Sequence, residues 1–244
     1  MVLSCCAWAL TQPEPEALRL LHGLGLSAID IRPSWLRSED AASTREQLGL
    51  DVICLAATHE KPDGATFDSD NPDAVASMIQ HVKQGLDHAA SRGARWSYVV
   101  PDVYRDTQTY DRYATHLTDI SEHAQNLDIK VCIEHFPGTA FPTVASTLEF
   151  IRDTAHPNLY ILFDIGHAQM ANEDPAEVLA IAGDRLAYVH LDDNDGVHDL
   201  HLALTDGVQT RESLRGLLDV LEDLGYEGPM SLEIKIDLPD PLDA

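Results

Sequence analysis

The sequence predicts a closed (β/α)8 barrel, and three observations carry that prediction. Eight apolar, strand-like segments alternate with helical patterns along 244 residues, a usual length for one such barrel. Strands alternating with helices imply a parallel sheet with right-handed crossovers. No GxGxxG or GxxxxGK[ST] phosphate loop occurs, which weakens the competing open, doubly wound sheet. No linker, low-complexity run or internal repeat breaks the chain, so one domain over residues 1–244 is expected.

The elements follow in order. Val2–Ala9 is an apolar first strand. Glu14–Gly23 has helical spacing of Ala17, Leu18, Leu20 and Leu21 after a Thr-Gln-Pro start. Ala28–Ile31 is the second strand, followed by a short, weak helix near Ser43–Leu48. Asp51–Ala57 is the third strand, and Asn71-Pro72-Asp73 opens a long helix to about Ser91. Trp96–Val100 is the fourth strand and Thr109–Asn126 the next helix. Lys130–Phe136 and Leu159–Ile165 are strands five and six, with a helix over Thr143–Thr154 between them. Asp174-Pro175 starts a helix to about Ala182, with proline in its first turn. Leu186–Leu191 is strand seven, Thr210–Leu224 the last full helix and Pro229–Ile234 strand eight. The tail Asp237–Ala244, rich in proline and aspartate, is expected to fray.

Composition narrows the partners. Lys plus Arg number 16 against 41 Asp plus Glu, a formal net charge of −25. Such a surface repels phosphate backbones and anionic membranes, so neither is an expected partner. Only four of the basic residues are lysines, a balance that would suit a high-salt cytoplasm. No apolar run approaches the roughly 20 residues of a membrane span. The apolar start, Met1 to Leu10, lacks a basic leader and a small-residue cleavage site. A cytoplasmic location is expected. Cys5, Cys6, Cys54 and Cys132 lie inside expected strands without a CxxC pair, so they read as buried, reduced hydrophobes.

Chemistry concentrates at four successive strand ends: Ile133-Glu134-His135, Phe163-Asp164-Ile-Gly-His167, Val189-His190-Leu-Asp192 and Ser231-Leu-Glu233. A charge closing an apolar, β-branched run suits the mouth of a parallel barrel, where active sites sit. A lone carboxylate there is often a helix cap or an ion-pair partner, and a lone histidine often satisfies a core hydrogen bond. Four together on neighbouring strands about 4.8 Å apart can enclose one cation. Glu134, Asp164, His190 and Glu233 make an oxygen-rich set suited to Mn²⁺, Mg²⁺ or Co²⁺, with Zn²⁺ also admissible.

These segments resemble the sugar isomerase/epimerase-like barrels that share their fold with xylose isomerase and endonuclease IV. The resemblance is strong in the last half of the chain and rests on strand rhythm in the first. It implies that Glu134, Asp164, His190 and Glu233 take the metal-ligand places. It also implies that His167 takes the place of a histidine that contacts substrate in the isomerases and binds a further zinc in the nucleases. Asp199-Leu200-His201 is similar to a ligand pair of the multi-zinc nucleases. Asp199 and His201 are read as substrate contacts, with second-metal ligands or solvated loop residues as the alternatives. The family loop continues with a proline and two glycines, whereas here Thr205 replaces one glycine. His59 closes strand three where the nucleases place a zinc histidine, but Tyr98-Val-Val-Pro101 offers no second one. His59 is therefore read as a substrate contact or as part of a polar mouth. Trp8, Trp35, Tyr104 and Phe136 are placed near mouth loops, chiefly as packing.

The expected function is isomerisation or epimerisation of a small polyhydroxylated keto compound, a sugar or cyclitol, through proton abstraction and an enediolate. Glu134 and Glu233 are the expected proton carriers and His167 a hydroxyl-orienting or relay group. A dehydratase of keto-sugar or keto-cyclitol type is the alternative. An endonuclease IV-type phosphodiesterase and a noncatalytic sugar-binding barrel rank below both. Self-association is left open.

Overall fold

The computed structural model describes residues 1–103 and 107–234. The expected fraying tail Asp237–Ala244 and the mouth aromatic Tyr104 lie outside the described residues. Strands β1 (Val2–Cys6), β2 (Ala28–Ile31), β3 (Asp51–Ala56), β4 (Trp96–Val99), β5 (Lys130–Glu134), β6 (Leu159–Asp164), β7 (Leu186–Leu191) and β8 (Pro229–Leu232) form one closed barrel in sequence order. All neighbours are parallel, and β8 pairs with β1 to close the ring. The (β/α)8 expectation is met.

Helices α1 (Glu14–Gly23), α2 (Glu39–Leu48), α3 (Pro72–Ser91), α4 (Thr107–Asn126), α5 (Val144–Thr154), α6 (Ile165–Met170), α7 (Pro175–Ala182) and α8 (Arg211–Asp223) alternate with them. Their starts are fixed locally. Side chains of Ser38, Asn71, Thr143, Asp164, Asp174 and Thr210 accept N–H groups of the first helical turn, satisfying donors that have no partner inside the helix. No helix among the described residues is long and apolar enough to cross a membrane.

Three elements differ from the sequence reading. The first strand stops at Cys6, and Ala7–Ala9 forms a buried 3-10 turn. The apolar run continues because burial continues, not because the strand does. Helix α2 begins four residues earlier than Ser43, at Glu39. Its periodicity is weak there, but Ser38 caps it and Glu39 and Asp40 favour the positive end of its dipole. Helix α6 was not foreseen. It is one and a half turns long and starts on a residue that sequence reasoning reserved for metal.

The core has two layers. The outer layer lies between strands and helices and includes Trp35, Tyr113, Phe141, Phe150 and Phe163. Trp35, in the turn that follows β2, is buried against this layer, as the packing reading expected. The barrel interior is smaller and holds Cys6, Trp8, Cys54, Tyr98, Cys132, Leu162 and Tyr188. All four cysteines are buried and free, as the sequence implied.

Candidate metal centre

Side chains alternate along a strand, so every second residue faces the barrel interior. Cys132, Leu162 and Tyr188 line that interior. Two residues further on come Glu134, Asp164 and His190, and Glu233 likewise follows buried Ser231. The strand register holds these ends level, with Asp164 opposite His190 and His190 opposite Ser231. All four candidate ligands are buried, and one ligand atom from each lies within 4.8 Å of the others.

His190 is the hub. Its Nδ1 lies 2.6 Å from Glu233 Oε2, 3.3 Å from Glu134 Oε1 and 3.6 Å from Asp164 Oδ2. Yet His190 Nδ1, Glu134 Oε1 and Asp164 Oδ2 have no aligned hydrogen-bond partner. A buried polar atom without a partner costs about 1–3 kcal/mol. Three such atoms facing one point, beside three carboxylates, fit a divalent cation that would satisfy them all. The donor set is oxygen-rich with one imidazole, which suits the hard to borderline ions named from the sequence.

The two flanking glutamates are driven apart electrostatically. Burial is the largest influence on both and opposes ionisation. For Glu134 it prevails, and the carboxyl is raised above its ordinary range. For Glu233 the attraction of His190 outweighs it, and the group is held below that range.

His167 sits on α6, and its backbone N–H donates to Asp164 Oδ1 at 2.8 Å. Its ring Nδ1 lies 3.0 Å from the carbonyl of His135, and its Nε2 lies 3.5 Å from Asp199. Burial disfavours its charge, but Asp164, Asp199 and Glu134 outweigh burial and raise its pKa well above the usual imidazole value. Phe136 covers the ring edge-on at 4.4 Å.

Asp199 and His201 return over this group from the loop after β7. Their side chains pair at 2.8 Å, and with Asp192 they form a second group of potential ligand atoms within 4.8 Å of one another. The loop is tied at its base by Asp193. Asp193 accepts the N–H groups of Asn194 and Gln209 on one oxygen and of Gly207 on the other. A Cβ on Gly207 would stand 2.0 Å from the Asn194 carbonyl, so this position admits only glycine. Thr205 adopts φ of 75°, the left-handed backbone that glycine takes without cost and a β-branched residue resists. Thr205 thus takes the backbone conformation expected of the glycine it replaces.

His59 lies across the mouth, 5.4 Å from the Trp8 ring, and its Nε2 is 3.5 Å from the Tyr98 hydroxyl. Burial lowers its pKa to about 4. No polar group of Glu134, Asp164 or His190 reaches it directly. Tyr98 is buried inside the barrel and faces His190 edge-on at 5.0 Å, on the strand where a nuclease histidine was sought.

Two buried polar residues beside the arc were not assigned a place there from the sequence. His135 Nε2 accepts the backbone N–H of Asp164 at 3.2 Å, which steadies that ligand's strand end. Asp30, in the middle of β2, is a fully buried carboxylate on the barrel floor. Only its type, inside an apolar run, was a signal.

Comparison with known proteins bears on the fold and the family. Curated relatives match about half of the chain, and the chain spans about half of their length. An uncharacterised protein of Methanocaldococcus jannaschii is 33% identical over 144 residues, covering 56% of this chain and 48% of the relative. An inosose dehydratase of Lacticaseibacillus casei is 24% identical over 142 residues, covering 52% and 48%. A fructoselysine 3-epimerase of Escherichia coli O157:H7 is 26% identical over 128 residues, covering 51% and 46%. Among solved structures, a D-tagatose 3-epimerase-like protein superposes with a TM-score of 0.82 at 22% identity, covering 100% of this chain and 94% of its own. A D-allulose 3-epimerase from Methylomonas sp. in complex with D-allulose gives 0.81 at 15% identity, covering 97% and 86%. The IolI protein with a bound zinc atom gives 0.80 at 18% identity, covering 100% and 91%. At these identities the superpositions speak for the fold. The family profile described as xylose isomerase-like TIM barrel matches residues 18–244, and the chain belongs to that family.

Proposed function

We propose that the protein is a metal-dependent epimerase or isomerase of a small polyhydroxylated keto compound, a sugar or cyclitol. The observation that carries this reading is the pair of buried glutamates, Glu134 and Glu233, at the two ends of one four-residue ligand arc. Relatives named as a 3-epimerase and a dehydratase of such compounds support it. Nucleic acid and membrane have no part in it.

Glu134, Asp164, His190 and Glu233 would hold the cation, which when bound supplies Lewis acidity towards a substrate carbonyl. Glu233, as a carboxylate, takes the proton from the carbon beside that carbonyl. The electron pair released enters the carbonyl group, giving an enediolate. Glu134, on the other side of the arc and in its protonated form, returns a proton to the opposite face of the same carbon. The reverse reaction exchanges the two roles. His167 orients a substrate hydroxyl beside them, and His59 and the Asp199–His201 pair meet its outer hydroxyls.

Dehydration of the same substrate class is the second reading. It draws on the cluster of His167, Asp199 and His201. Burial disfavours a charge on His201, but its hydrogen bond to Asp199 and the charges of Glu233 and Asp192 push it up to about 10. An imidazolium there is a proton source for a departing β-hydroxyl.

Turnover of a keto-sugar and a keto-cyclitol panel in deuterium oxide tests the proposal. Deuterium is expected at the carbon beside the carbonyl. Product formed without label overturns proton transfer through the glutamates. Loss of water with label retained selects the dehydratase reading, and cleavage of abasic-site DNA without action on any sugar restores the nuclease.

A further inference from the structure

The mechanism leaves one buried charge unused. Asp30 has no exposed surface and lies in an interior of cysteine, tyrosine and serine side chains. A carboxylate in such a place is costly unless it is held by hydrogen bonds and has a partner for its charge. Half of this is met: Asp30 Oδ1 accepts the Tyr188 hydroxyl at 2.6 Å and the Ser4 hydroxyl at 3.0 Å. Its Oδ2 has the Cys6 thiol at 4.0 Å, and the Ser231 hydroxyl also favours the carboxylate.

The complementary deficit lies above it. His190 turns Nδ1 to the carboxylate arc, while Nε2, on the other side of the ring, is buried and has no hydrogen-bond partner. A nitrogen of His190, a carboxylate oxygen of Asp30 and the Cys6 sulfur lie within 4.8 Å of one another. The arc already engages Nδ1, so Nε2 is the nitrogen free to address Asp30. The span is one that a bridging water or a small ring rotation closes.

We infer that Asp30 is the positioning carboxylate of the metal centre, drawing the Nε2–H of His190 towards the barrel floor so that Nδ1 presents its lone pair to the cation. The inference rests on the metal reading above and adds a residue on β2, outside the ligand strands. A neutral imidazole carries one N–H, and the partner of one nitrogen decides which tautomer the other shows. A carboxylate behind a ligating histidine also raises its basicity. Tyr188, Ser4 and Asp30 thus form a floor that orients the hub of the arc. Asp30 touches neither substrate nor the reacting atoms in this account.

Cobalt(II) binding to the full chain provides the test. Affinity is measured by titration calorimetry, and the visible spectrum of bound Co²⁺ reports its ligand field. Asp30→Asn keeps the shape and removes the charge. It is expected to weaken Co²⁺ binding about 10–100-fold and to change the spectrum, while the metal-free melting temperature stays near that of the wild type. Tyr188→Phe removes one tether of Asp30 and is expected to weaken binding in the same direction by less. If Asp30→Asn does not fold, Tyr188→Phe and Ser4→Ala carry the test through affinity and spectrum. Unchanged affinity and spectrum in the folded variants overturn the role of Asp30 and leave the metal reading intact. A wild-type protein that takes up no Co²⁺ overturns the metal reading and this inference with it.

Discussion

Strands β5 to β8 and strands β1 to β4 end around one mouth, under the same two-residue alternation, yet they deliver different chemistry. In the late half, the inward position past Cys132, Leu162, Tyr188 and Ser231 is Glu134, Asp164, His190 and Glu233. In the early half, the position past Cys6, Asp30, Cys54 and Tyr98 is Trp8, Arg32, Ala56 and Val100. None of those four is a metal ligand by type. A cation needs donors that converge on one point, and consecutive strands provide that. The remaining arc is left with an aromatic wall, in which Arg32 lies 4.8 Å over the Trp8 ring and Trp8 adjoins His59. On the proposed function, the contrast would assign reaction to one side of the mouth and contact with the rest of the substrate to the other.

The sharpest way to break this division is to neutralise its reactive side. Glu134→Gln and Glu233→Gln are each expected to cut turnover by at least about 10²–10⁴-fold, the usual contribution of a general acid or base, with the circular dichroism spectrum unchanged. Activity close to wild type in either variant removes that glutamate from the mechanism.

Removing the cation should be felt as stability. A ligand at 100 times its Kd adds about 2.7 kcal/mol to the native state. At about 2–4 °C per kcal/mol for a chain of this size, chelation should lower the melting temperature by roughly 5–10 °C. About one divalent ion per chain is expected by elemental analysis, because the second group of Asp192, Asp199 and His201 is closed by its own ion pair.

On the contact side, Trp8→Ala should raise KM about 10-fold, corresponding to about 1.4 kcal/mol, and change kcat little. An equal fall in kcat would move Trp8 to the reactive side and blur the division.

The Asp199–His201 pair sharpens it by pH. Burial opposes both charges, but the hydrogen bonds of His167 and His201 hold Asp199 at about 2, and Asp199 and Glu233 push His201 up to about 10. Asp199 is lowered from 3.8, so its contribution is present above about pH 4 and fades as pH falls towards 2. His201 is raised from 6.5, so its contribution is complete below that pH and fades as pH rises towards 10. The melting-temperature gap between wild type and His201→Gln should therefore be widest between about pH 4 and 6.5. A gap that grows above pH 7 contradicts the pairing.

The smallest expected effect is at Thr205. Left-handed backbone at a non-glycine residue costs about 1–3 kcal/mol, partly offset by the about 0.4–1 kcal/mol that glycine loses in the unfolded chain. Thr205→Gly should raise the melting temperature by about 2–4 °C and leave turnover unchanged.

The ligand arc was legible in the sequence because each member breaks an apolar run at its end, where a charge has no place in a core. His167 was legible only through family resemblance; its helix α6 was not, since six residues containing a glycine show no period. Asp30 stayed hidden because its partners, Tyr188 and Ser4, are 158 and 26 residues away, and nothing local marks the meeting of β1, β2 and β7. Asp193 stayed hidden for the opposite reason: four acidic or amide residues in a row, Asp192 to Asp195, look like solvent-facing loop. The end of β1 was misplaced because burial and strand were taken as one property. His59, Asp199 and His201 are brought to the mouth region by the fold, while the roles proposed for them await the experiments above.

Asp164 is both the cap of α6 and a member of the arc. Its Oδ1 is committed to the His167 N–H at 2.8 Å, and its Oδ2 alone lacks a partner. To a cation it would offer one oxygen, and His190 would offer one nitrogen. Even with both glutamates gripping through two oxygens, the protein could offer six donor atoms and no more. Calcium prefers six to eight oxygen ligands at 2.3–2.6 Å, whereas magnesium and its transition-metal counterparts are content with six closer ones. If the arc holds a cation as proposed, the helix cap would leave Asp164 one oxygen for it, and so tie a demand of local folding to the preference for a smaller ion.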